Sequence, residues 1–447
     1  MSRRKLTLAG FKDKLPKLSI LTLLGTFLTS VAAMAQEAAA SAPQIDSGNT
    51  SWMLISTALV MLMTPGLALF YGGMVRSKNV LGTVMQSFVC LAVVTIVWVL
   101  WGYSLAFGSG INSFIGGLDY VGLKGVGMEP GPFNDTIPHY VFMAFQMMFA
   151  IITPALITGA FAERFKFRTF LVFLVIWLTV VYCPLAHWVW GGGWIGAKLG
   201  AIDFAGGLVV HISSGAAALA AALVIGKRKE YGEKPMPPHN LVLTILGASL
   251  LWFGWFGFNA GSAIAANGLA ANAFVTTQVA TAAAILSWLF AEWAHKGKPT
   301  ALGAASGAVA GLVAITPAAG FVGPLASIII GAIGGAVCYF AVNLKTFLGY
   351  DDSLDVVGVH GAGGTWGAIA TGLFAAAAVG GVSGFFEGNT SLIIAQLISI
   401  VVAWAFAFSA TAIILKVLDI TMGVRVNEEE EVTGLDLVEH GERAYSL

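Results

Sequence analysis

The chain has 447 residues, 57% of them hydrophobic and only 10% charged, with Lys+Arg and Asp+Glu balanced at 23 each. A water-soluble domain carries roughly a quarter charged residues, so water is not the main solvent of this chain, and the lack of a basic excess excludes nucleic acid as a partner. Cys90, Cys183 and Cys338 each sit inside an apolar run, which gives neither a disulfide framework nor a metal-ligand spacing and leaves them as small packing groups.

The N-terminus reads as a signal peptide. Six basic residues between Arg3 and Lys17 precede an apolar stretch from Leu18 to Val31, and Ala33-Met34-Ala35 supplies small residues for cleavage after Ala35. Residues 1–35 are thus assigned to the signal segment, 36–418 to a membrane domain and 419–447 to a cytoplasmic tail.

About 20 apolar residues are needed to bridge a bilayer as a helix. Eleven runs meet that need, starting near Trp52, Thr83, His139, Thr169, Phe204, Leu241, Ala273, Thr300, Phe321, Asp355 and Ser391. The expected fold is therefore all-α and polytopic, embedded in a lipid bilayer. With the N-terminus outside, the Lys and Arg beyond the signal segment fall on the cytoplasmic side except Lys124 and Lys198. That asymmetry orients the chain N-terminus out and C-terminus in. Glycine and alanine recur at helical spacing, as in Gly303, Gly307 and Gly311 or Gly331 and Gly335, which is a packing signal for close helix contact.

Two of the runs open alike. Asp203-Phe-Ala-Gly-Gly-Leu-Val-Val-His211 begins the fifth, and Asp352-Ser-Leu-Asp-Val-Val-Gly-Val-His360 begins the tenth. The topology starts these runs on opposite faces, so the segments are related by inversion: five helices in each half, and the eleventh added. Eight helical residues rise about 12 Å through a core about 30 Å thick, which brings both histidines near the midplane. A single histidine on an apolar helix is commonly a core residue bonded to a carbonyl. A pair inside a bilayer points to a cavity or a partner, because an unpaired polar group there is costly. Asp203 and Asp352 stand at helix starts, where N-capping and the helix dipole explain them, and both are assigned structural roles near the site.

Phe70-Tyr-Gly-Gly, the Asp203 segment with His211, Gly254-Trp-Phe-Gly-Phe-Asn-Ala-Gly-Ser262 and Gly358-Val-His-Gly361 together resemble the ammonium transporter family, the Amt, methylamine permease and Rhesus group. The resemblance covers nearly the whole chain after the signal segment. It implies that Phe145, Trp190 and Ser262 bind ammonium in an outer vestibule, that Phe149 and Phe258 form a gate, and that Trp255 lines the pore beside His211 and His360. Met147 and Met148 depart from the small residues common in the family, which opens the question of methylated amines. The resemblance also implies a homotrimer with one pore per subunit, in the cytoplasmic membrane of a bacterium.

Elementary chemistry supports these roles. A cation over an aromatic face gains about 0.5–2 kcal/mol, and indole is the best such face. A bare cation in an apolar bore loses far more than that, and ammonium escapes the loss by giving up a proton. Neutral imidazole both donates and accepts, so it suits the resulting ammonia.

The tail carries acids at Asp419, Glu428 to Glu431, Asp436, Glu439 and Glu442. Charge alone reads as a solvated run. The resemblance instead implies contact with neighbouring subunits and a PII-type regulatory protein at the cytoplasmic face. An alternative function is an ammonium sensor that signals through a partner protein. No phosphate loop, nucleophile elbow or metal cluster is evident, so no enzyme activity and no cofactor are expected.

Overall fold

The computed structural model describes residues 44–445, so the expected signal segment lies outside the described residues. Among the described residues nine helices are long and apolar enough to cross a membrane: α1 (Ser47–Met74), α2 (Ser77–Phe107), α3 (His139–Phe161), α4 (Phe167–Leu199), α5 (Gly207–Ile225), α6 (Leu241–Gly261), α7 (Gly268–Lys296), α9 (Pro324–Leu348) and α11 (Thr390–Met422). A shorter apolar helix, α8 (Ala301–Ile315), lies between α7 and α9. Between α9 and α11 runs α10, a π-helical turn Val357–Ala362 continued by Gly363–Phe374. Among the described residues strand is confined to two short antiparallel ladders in the segment between α2 and α3.

The helix starts fall within a few residues of the apolar runs. The offsets arise at polar caps that apolarity does not register. Asp46 accepts from the Asn49 amide at 2.6 Å and so starts α1 ahead of Trp52. Asn267 caps α7 through the Leu269 and Ala270 amides, and Gly297 ends it in the left-handed conformation. Asn240 and Thr300 cap α6 and α8 in the same way.

α1 lies along α6, α7 along α8 and α9, and α11 against α5 and α10. The small-residue spacing is used where α8 and α9 meet α7. A Cβ on Gly311 would stand 2.6 Å from the Ala284 Cβ, and one on Gly307 2.9 Å from the Trp288 Cβ. A Cβ on Gly331 would strike the Ala280 carbonyl. Without side chains the backbones approach to van der Waals contact, which replaces the hydrophobic drive that lipid does not provide. The three cysteines are buried and free, as their apolar settings imply.

Candidate functional site

The two repeated segments fold by related means. In the first, Asp203 receives four backbone N–H groups: Gly206 and Gly207 donate to Oδ1 at 2.9 and 2.6 Å, and Leu208 and Val209 to Oδ2 at 2.7 and 3.3 Å. The carboxylate thus absorbs the unpaired donors at the start of α5. In the second, Val357 donates to Asp352 Oδ2 at 2.8 Å. Both helices open with a π-helical turn, Gly207–Ile212 and Val357–Ala362, and each turn carries its histidine. Such widened turns recur at functional sites because they re-aim a side chain.

α5 and α10 cross at glycine. A Cβ on Gly215 would collide with the Gly361 backbone, so only glycine lets the two helices come this close. One consequence is the contact between the imidazoles. His211 Nδ1 and His360 Nδ1 share a hydrogen bond of 3.2 Å, and the rings stack at 5.3 Å and 24°. One ring must donate from Nδ1 and the other accept. The neutral pair therefore presents an acceptor nitrogen at one end and a donor N–H at the other. His211 Nε2 is buried without a protein partner.

Both rings line a nearly closed cavity walled by Leu67, Phe70, Leu156, Trp255 and Phe258 among others. Its room for the centre of a water-sized molecule is about 10 Å³, enough for one such molecule. The Trp255 indole stacks on His211 at 5.4 Å and 17°, and its N–H donates to Thr316 Oγ1 at 2.9 Å. With that donor engaged, the indole presents only its apolar ring to the cavity. The bore is apolar except at the imidazoles.

Above this cavity Phe149 and Phe258 pack with ring centroids 4.3 Å apart. Phe258 lines the histidine cavity, while Phe149 lines a second, larger one. The two rings are therefore the partition between the cavities. The larger cavity has a volume of about 310 Å³, and its wall includes Phe107, Phe142, Gln146, Trp190 and Ser262. Trp190 donates its indole N–H to the Asp203 carbonyl at 2.9 Å, which fixes the ring. Ser262 donates to the Phe258 carbonyl at 2.8 Å. Its proton is thus spent within α6, and the lone pairs of Oγ remain to accept from a cation.

The structure brings together eight of the ten residues singled out in the sequence. Trp190, Ser262 and Phe149 line the larger cavity; Phe258, Trp255, His211 and His360 line the smaller; Asp203 holds both Trp190 and the start of α5. Phe145 is fully buried and packs edge-on against Phe149, 5.0 Å between ring centroids. Phe142, Gln146 and Phe149 follow one another at four and three residues and share a face of α3. Asp352 is buried just before α10 and lines neither cavity.

At the opposite end of the bundle lies an ionic cluster that sequence reading missed. Arg76 donates to Glu163 from its backbone and from Nε, both at 2.7 Å. Arg228 donates to Asp351 Oδ2 at 2.9 Å and lies 3.4 Å from Glu163. Burial alone would push the Glu163 and Asp351 carboxyls up, but the arginines outweigh it and hold both below their usual range. Burial also pulls Arg164 down to about 10, still charged at neutral pH. Arg164 donates to the Asp351, Ala160, Ala162 and Gly226 carbonyls, tying the segments after α3, after α5 and before α10. These partners are far apart in sequence, so no local pattern announces them.

The acidic tail is not the freely solvated run that its charge implies. It forms α12 (Glu428–Thr433) and α13 (Leu435–His440). Glu431 is buried, receives the Lys229 amide at 2.6 Å and pairs with Arg425 at 2.7 Å. Asp436 receives the Gly82 amide at 2.9 Å, and Asn79 receives the Leu435 amide at 2.8 Å. The tail is docked on the bundle of its own chain.

Residues 51–445 match the Ammonium Transporter Family. An ammonium transporter of Bacillus subtilis is 59% identical over 89% of this chain and 98% of its own length. Ammonium transporter Amt1 of Archaeoglobus fulgidus is 50% identical over 90% of this chain and all of its own. Among solved structures, that of Saccharomyces cerevisiae Mep2 superposes with a TM-score of 0.81 at 38% identity, covering 87% of this chain and 89% of that one. The chain, a multi-pass membrane protein, belongs to the ammonium transporter family.

Proposed function

We infer that this protein conducts ammonium, as ammonia once past the gate, across the cytoplasmic membrane of a bacterium. The observation that carries the reading is the bonded pair His211 and His360 in an otherwise apolar cavity, closed off by Phe149 and Phe258 from an aromatic vestibule. Ammonium is drawn to the Phe145 and Trp190 faces and the Ser262 oxygen. Passing the phenyl pair strips water and charge together, because nothing in the bore solvates a cation. Ammonia then bonds to the imidazole nitrogens, with Trp255 as an apolar wall. The proton either returns outside or follows by a separate route along the histidine pair.

The chain crosses the bilayer eleven times, N-terminus out and C-terminus in. α1 to α5 and α6 to α10 form an inverted repeat, and α11 is the addition. Supporting this, α1 packs on α6 and α5 on α10, the self-paired contacts that a two-fold axis in the membrane plane requires. Residues 1–35 act as the signal peptide, 36–418 as the transport domain and 419–447 as the tail. Family likeness supports assembly as a homotrimer and control by a PII-type partner at the cytoplasmic face. A solved structure titled Sensor Amt Protein is 29% identical to this chain, well below the identity of the Bacillus subtilis transporter, so transport is the reading preferred over sensing.

Stopped-flow measurement on proteoliposomes tests the proposal. An imposed ammonium gradient should change lumenal pH or charge faster than in empty liposomes. Equal rates in both would end the transport reading.

A further inference from the structure

Most polar groups around the vestibule cavity are already committed. The Trp190 indole N–H goes to a carbonyl and the Ser262 proton to another. Gln146 is the exception. It lines the cavity between Phe142 and Phe149, only 9% exposed, and among the described residues its amide takes part in no hydrogen bond. Its polar atoms are not sealed in the wall either, since they are absent from the buried groups left without a partner. An amide that is neither bonded nor sealed, on the face of α3 that ends at the gate, is open to a ligand in the cavity.

We propose that the Gln146 side-chain carbonyl is a second hydrogen-bond acceptor for ammonium in the vestibule, opposite in kind to the aromatic faces, and that it sets the preference for ammonium over methylammonium. The proposal rests on the transport reading and deepens it. Among the side chains lining the cavity, Gln146 Oε1 and Ser262 Oγ are the acceptors, and the ring faces attract any monovalent cation of the right size. Ammonium has four equivalent N–H groups, so any two of them can satisfy both acceptors. Methylammonium satisfies both only when its methyl group is turned from each. Each further acceptor removes orientations in which the methyl group would face it, so a second acceptor favours ammonium over methylammonium. Met147 and Met148, which the sequence marks as unusual, do not line this cavity, so discrimination falls to Gln146 instead.

Two full-length variants in proteoliposomes test this, with initial rates measured against ammonium and against methylammonium. Gln146→Leu keeps the bulk and removes the acceptor. Its KM for ammonium should rise about tenfold, the loss of one hydrogen bond to a charged group, with the maximal rate little changed. Its KM for methylammonium should rise less, so the ammonium preference narrows. Gln146→Glu, nearly the same shape, restores an acceptor with a charge and should lower the KM for ammonium below that of the wild type. A Leu variant that elutes and unfolds like the wild type with an unchanged KM for ammonium would overturn the proposal. So would an equal rise for both substrates, or a fall in maximal rate alone, which would mark Gln146 as a gate-packing residue. Failure of the wild type itself to transport would instead refute the transport reading.

Discussion

Gly215→Ala is the smallest change that should separate the two histidines. The added methyl lands on the Gly361 backbone, well inside contact distance. Carbon atoms rest about 3.5 Å apart, so α5 and α10 must part by roughly 1 Å at this point. His360 is the neighbour of Gly361, and His211 lies one turn before Gly215. Their hydrogen bond, at 3.2 Å, has little slack, and a further ~1 Å puts the nitrogens beyond bonding range. Overpacking of this kind costs about 1–3 kcal/mol, so the variant should fold but unfold at a lower temperature. Transport should fall by at least about tenfold, since displacements of this size at a reacting centre cost one to two orders of magnitude. Thermal unfolding in detergent and stopped-flow flux read the two effects separately. Wild-type flux together with a wild-type unfolding temperature would refute the claim that this crossing sets the histidine pair.

Three other outcomes follow from the same geometry. Trp190→Leu removes the cation's best aromatic face, worth about 0.5–2 kcal/mol, so the KM for ammonium should rise by roughly 2- to 30-fold in flux assays; an unchanged KM would place recruitment elsewhere. Arg228 holds the Glu163 and Asp351 carboxyls low, helped by Arg76 at Glu163 and by Arg164 at Asp351, so their stabilisation is complete above the ordinary carboxyl range, about pH 4, and is lost as pH falls through their folded values. Unfolding temperature should therefore drop more steeply below pH 4 in the wild type than in Glu163→Gln, which is already weakened at neutral pH; parallel profiles would deny the cluster a role. Glu431→Ala removes the carboxylate that holds the Lys229 amide and Arg425, and limited proteolysis should then cut the tail faster than in the wild type. Equal cleavage would mean that α12 is held by other contacts.

The helices were legible because burying a backbone in lipid demands long apolar runs, and such runs leave few alternative readings. The ends were not, because Asp46, Asn267 and Thr300 fix them through one or two side-chain bonds each. His211 and His360 were legible as a pair only through the matched acid-to-histidine spacing combined with opposed direction. The π-helical turns that aim them have no such signature. Phe142, Phe145 and Phe149 follow at three and four residues on one helix, so spacing puts all three on one face and does not rank them as cavity groups. Glu163, Arg228 and Asp351 meet across three loops, and Glu431 and Asp436 find their partners on α2 and beyond α5. Contacts of that range are set by the assembled bundle, so local sequence carries little trace of them.

Electrical recording on solid-supported membranes with wild type, His211→Ala and His360→Ala examines the histidine pair most directly. The account predicts that both variants alter the ammonium-evoked current and its selectivity over potassium, because the bore then lacks a group that accepts ammonia after its charge is gone. Currents and selectivity identical to the wild type in both variants would contradict it.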